Sequence, residues 1–166
     1  MPKTSHKTNH STDKKPANQR GAARLAAVQA LYQMDIGEAD LQAVLQQFSL
    51  RTNEEDVDGD TYLPADTDFL GQIVKGVLKH QRVIDPILQE NLSDDWPLTR
   101  IDSTLRAVLR ASAFELHYRR DIPPKVVISE YVDVANAFFD GEVPGMVNAV
   151  LDHISKNLPE TPDKKN

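Results

Sequence analysis

The first 24 residues hold Lys3, Lys7, Lys14, Lys15, Arg20 and Arg24 against the single acid Asp13. A run of that kind does one piece of chemistry well, the binding of phosphate. The segment carries +5, so the other residues carry −11 to bring the 166-residue chain to −6. An acidic total therefore hides a local attraction for polyanions, which need only a few cations on one face. The bland reading of the same stretch is a solubilising tail. Arg20 and Arg24 stand four apart with no acid between Lys14 and Gln33, which favours an unneutralised, phosphate-facing stripe at the start of a helix. Arg100, Arg106, Arg110, Arg119 and Arg120 offer a second candidate patch. Arg106 and Arg110 are one helical turn apart among acids such as Asp102 and Glu115, so salt bridges on a packed helix are the favoured use there.

Catalytic chemistry has no constellation. The chain lacks a Gly-rich phosphate loop, a G-x-S-x-G elbow and any cysteine. His6 and His10 lie in the basic arm, and His80, His117 and His153 are scattered singly, so no metal site is expected. Asp94 and Asp95 read as solvated charge in a connector. The alternation Asp56, Asp58, Asp60 resembles a calcium loop, but counted from Asp56 the glycine position is Thr61 and the bidentate acid position is Thr67. The expectation is a binding protein, not an enzyme, without metal or cofactor. The absence of cysteine suits a reducing compartment, and neither a membrane-spanning run nor a secretory signal is legible, so a cytoplasmic, non-membrane protein is expected.

The elements that must position these residues follow from periodicity. Residues 1–17 have too little apolar surface to offset ordering entropy and are expected to form a disordered arm, as are 158–166. Residues 18–157 read as one domain. Ala23, Ala26, Ala27, Ala30, Leu31 and Met34 give one face of a first helix that Gly37 ends. A second follows from about Asp40, with Leu41, Val44, Leu45 and Phe48, and the stretch 51–68, with seven acids and one base, reads as a solvated loop. Asp66 or Asp68 caps a third helix carrying Phe69, Ile73, Val77, Ile84 and Leu88, which Pro86 either kinks or divides. Ile101, Leu105, Val108, Leu109 and Leu116 mark a fourth, Val127, Tyr131, Val134 and Phe138 the core stripe of the next. After an interruption at Gly141 and Pro144, Met146, Val147, Val150, Leu151 and Ile154 mark the last. Six or seven helices and no convincing strand predict an all-α fold.

Four strings carry a resemblance. They are A-A-R-L-A-A-V-Q-A-L-Y-Q-M-D from Ala22, R-A-V-L-R-A-S-A-F-E-L from Arg106, I-P-P-K-V-V-I-S-E-Y-V-D-V-A from Ile122 and M-V-N-A-V-L-D from Met146. In order and spacing the chain resembles the NusB family of bacterial transcription antitermination factors over nearly its whole ordered part. That resemblance implies two three-helix bundles packed crosswise and no catalysis. It also implies binding of single-stranded boxA RNA together with NusE, a small ribosomal subunit protein, and joining of elongating RNA polymerase with other Nus factors, notably on ribosomal RNA operons. Homodimers occur in parts of the family, and no residue here decides the matter.

The family's basic N-terminal run falls on Arg20 to Arg24, thinned here by Gly21 and Ala22, with Lys14 and Lys15 as upstream substitutes. An aromatic that stacks on a base in the family is here Met146, a softer thioether contact. Glu142 lies just before it, and Asn148 is carried over as an RNA contact or local organiser, its neighbour Ala149 standing where relatives keep glycine. Tyr32 matches the aromatic that faces NusE. Its alternative reading is a core tyrosine with the hydroxyl at the rim. Two other classes stay open: a helical module like that fused to RNA cytosine methyltransferases, and a purely protein-binding adaptor.

Overall fold

The structure, a computed structural model, describes residues 10–37, 39–53 and 66–160, with side chains placed for 19–37, 39–48 and 66–160. Among the described residues there are six helices and no strand: α1 (His10–Asp35), α2 (Leu41–Asn53), α3 (Thr67–Asn91), α4 (Ser103–Tyr118), α5 (Pro124–Phe138) and α6 (Val143–Lys156). Helices α1 to α3 all touch one another, as do α4 to α6, giving two trios. Helix α4 joins them by packing on both α1 and α3.

Local chemistry explains the boundaries. The Asp40 carboxylate accepts from the Ala43 N–H at 2.8 Å, Asp66 from Phe69 N–H at 3.0 Å, and Asp102 from Thr104 and Leu105 N–H, so three helices start on carboxylate caps. Gly37 ends α1 at φ 79°, a left-handed conformation that costs glycine nothing. Pro123 and Pro124 open α5, where a missing N–H is harmless.

Alanine decides how α1 packs. Ala23, Ala26, Ala27 and Ala30 are buried with Val28 and Leu31, and these short side chains let α1 lie against α2, α3, α4 and α5 at once. At Gly76, on α3, an added Cβ would fall 2.2 Å from the Phe114 ring, so the α3–α4 contact depends on the absence of a side chain there.

Several expectations are corrected. Helix α1 begins at His10 and so takes in residues 10–17 of the expected arm; a helix extends at the gain of one backbone hydrogen bond per residue, without a second nucleation. The acidic loop is shorter than 51–68, because α2 reaches Asn53 and Asp66 already caps α3. Residues 54–65, with Asp56, Asp58 and Asp60, lie outside the described residues, as do 1–9 and 161–166. Pro86 sits inside a continuous α3. Pro144 does not interrupt α6 but occupies its first turn, where its fixed φ suits a helix start. Leu158 packs on the core and the Pro159 carbonyl accepts from Arg120 at 3.0 Å, so the chain is anchored beyond 157. Phe138, at 39% exposure, is not part of the α5 core stripe formed by Val127, Tyr131 and Val134.

Candidate nucleic-acid and partner interface

The expected basic stripe on α1 splits in two. Arg24 is buried, 2% exposed, and its Nε and Nη2 donate to the Glu115 carboxylate at 2.9 to 3.2 Å. Glu115 on α4 is fully buried and also accepts a hydrogen bond from the Tyr131 hydroxyl on α5. The Glu130 carboxylate lies 3.9 Å from Arg24 Nη1. Arg24 therefore ties α1 to α4 and α5 and is not the unneutralised cation expected. The physical reason is that a buried guanidinium must be paired, and the acid that pairs it lies 91 residues away, invisible to a local charge count. Burial alone would lower the Arg24 pKa, but the hydrogen bonds and charge of Glu115 outweigh it and leave it raised. Burial, followed by the Glu115 charge, pushes the Tyr131 hydroxyl well above its ordinary range.

Arg20 is different. It is half-buried, and among the described residues its guanidinium has no hydrogen bond or ion pair; its carbon centre lies 4.8 Å from the Phe69 ring centroid. The same buried ring has Arg24 at 5.0 Å and Arg119, from the end of α4, at 5.3 Å. The backbone holds this junction: Asp66 N–H donates to the Gln19 carbonyl at 3.1 Å, fastening the start of α3 to α1. Lys14 and Lys15 lie on α1, with side chains outside those described.

Glu142 precedes α6 and is exposed without a side-chain capping bond. Met146 is half-buried and packs on the core, whereas Asn148 is exposed. Helices α1 and α6 do not touch among the described residues; α5 touches both. The structure thus does not bring Arg20 into contact with the Met146 region, and α5 is packed against the helices of both.

Tyr32 is 38% exposed, not a core side chain. With Val28, Gln29, Gln33, Thr104 and the exposed Phe138 it lines a groove of about 300 Å³. Two exposed aromatic rings beside polar groups suit a protein partner. Arg106 and Arg110 are structural, as expected, although with other partners. Arg106 donates to Asp35 at 2.7 and 3.0 Å, and Arg110 donates twice to Asp85 at 2.9 Å.

Sequence reasoning missed Glu115, Phe69 as an arginine platform, and Phe138 as a surface ring. Glu115 left a signal, since it falls seven residues after Val108 and one before Leu116, on the apolar face of α4, where an acid requires a partner.

The NusB family model matches residues 21–156. The Transcription antitermination protein NusB of Bradyrhizobium diazoefficiens is 56% identical over 147 residues, covering 89% of this chain and 88% of the relative. That of Rhodopseudomonas palustris is 55% identical over 144 residues, covering 87% and 85%. Among solved structures, Thermotoga maritima NusB matches with a TM-score of 0.68 at 27% identity, covering 84% of this chain and 92% of that one. A NusB solved with NusE and double-stranded RNA has the same fold, with a TM-score of 0.68 at 23% identity, covering 83% and 96%. Likeness of this extent, along nearly the whole chain and in the same helix order, has one meaning: the chain belongs to the NusB family.

Proposed function

We propose that this protein is a cytoplasmic transcription antitermination factor that binds single-stranded boxA-type RNA together with NusE and joins elongating RNA polymerase and other Nus factors, notably on ribosomal RNA operons. The observation that carries the reading is the 56% identity to a transcription antitermination NusB over almost all of both chains. In this reading Lys14, Lys15 and Arg20 approach phosphates, while Glu142, Met146 and Asn148 at the start of α6 approach the bases. The groove of Tyr32 and Phe138 receives NusE. Arg24 acts by holding α1 in place, since its guanidinium is fully engaged by Glu115. A NusB of the same fold has been solved with NusE and RNA, which accords with a joint site.

The test is a titration of short single-stranded boxA RNA and a scrambled control, with and without NusE, at several salt concentrations. Preference for boxA, tightened by NusE, is the expected result. Equal weak binding to both RNAs, unaffected by NusE, would overturn it.

A further inference from the structure

We propose that Arg119 joins Arg20 in a two-guanidinium clamp for an RNA phosphate, built over the Phe69 ring and held closed to other anions by Asp121. The proposal rests on the RNA-binding reading above and gives a role to Arg119, the residue that caps the end of α4 and that the sequence offered within a second candidate patch. Three guanidinium carbons lie within 5.3 Å of one buried ring centroid, and they come from two elements, α1 and the end of α4. Arg24 is neutralised by a buried carboxylate, which leaves Arg20 and Arg119 as the two that reach solvent. Like charges converge on one spot only at a cost, which an anion between them relieves.

The neighbouring acids show why the site is incomplete without a ligand. Asp66 turns its carboxylate to the Phe69 N–H as a helix cap. Arg20 makes no side-chain hydrogen bond or ion pair among the described residues, although its charge, after that of Arg119, helps hold the Asp121 carboxyl below its ordinary range. Arg119 donates from Nε and Nη2 to Asp121 at 3.0 Å each, and from Nη1 to the Gln72 side chain. The Asp121 side chain is mostly exposed, so it can swing into water and surrender the Arg119 fork to a phosphate. Phe69 is buried, and its ring attracts both guanidinium groups without competing for their N–H groups.

Two substitutions with opposite expected signs test the clamp, read as binding of a short single-stranded RNA across a salt series. Arg119→Gln is expected to weaken binding several-fold and to make the salt dependence shallower by about 0.7, the value of one lost phosphate contact on a single strand. Asp121→Asn removes the competing carboxylate and is expected to tighten binding about two- to fivefold, a gain that misfolding cannot produce. Arg100→Gln, an exposed arginine outside the clamp, controls for loss of general charge. Wild-type affinity and slope in Arg119→Gln, or weakened binding in Asp121→Asn, would overturn the clamp while leaving the RNA-binding reading intact. Failure of the wild-type protein to bind any RNA would overturn the reading itself.

Discussion

Arg20 and Arg24 stand one turn apart on α1 and share the Phe69 ring, yet one is a buried structural strut and the other faces solvent without an acceptor. Their difference comes entirely from what the rest of the chain brings to each. Glu115 and Tyr131 enclose Arg24, while among the described residues Arg20 makes no hydrogen bond or ion pair and meets only the more distant charge of Asp121. A basic stripe therefore has to be divided by burial before any of it is assigned to a ligand. The pairing also orients Arg20, because the helix carrying both is clamped where Arg24 meets α4.

The largest effect that would break this contrast is Arg24→Ala. It leaves the Glu115 carboxylate buried and unpaired, and a loss of about 3–5 kcal/mol in urea unfolding is expected; a loss below about 1 kcal/mol would mean that Arg24 is not a strut. Tyr131→Phe removes one donor from the same carboxylate and is expected to cost about 1–3 kcal/mol by the same measurement. The cluster should also appear in the pH dependence. The Tyr131 hydroxyl is raised by burial and by Glu115, so the unfolded chain ionises first, above its ordinary value of 10.0. The stability present below that pH is then lost as pH rises toward the folded value, and Tm between pH 9 and 11 should fall less steeply in Tyr131→Phe than in wild type. The smallest expected stability effect is that of Arg20→Ala, within about 0.5 kcal/mol. Its RNA affinity should nevertheless fall several-fold, with a shallower salt slope. A stability loss as large as that of Arg24→Ala would erase the distinction.

Much of the fold was legible because periodicity is local. The stripes of α3 and α4 matched the buried residues, and Asp66 and Gly37 marked real boundaries. Of the candidate site, the basic stripe was read from charge and Tyr32, Glu142, Met146 and Asn148 from resemblance, and Arg24 was misread as unpaired, since its partner depends on a tertiary contact between α1 and α4. Phe138 was misread for a related reason. It lies four residues after Val134, on the helical period of the core stripe, but at the last turn of α5 it borders an open groove and stays 39% exposed. Sequence spacing gives the direction of a side chain and not what stands opposite.

The reach of the Arg24 pairing also has a consequence for synthesis. Helix α1 leaves the ribosome first, but Glu115 follows 91 residues later and Tyr131 later still. Until then the Ala-rich face of α1 has no α4 or α5 to lie against, and its arginine has no carboxylate to enter the core with. The Arg24–Glu115–Tyr131 cluster can therefore close only after α5 is made, and until then α1 has only α2 and α3 to pack on.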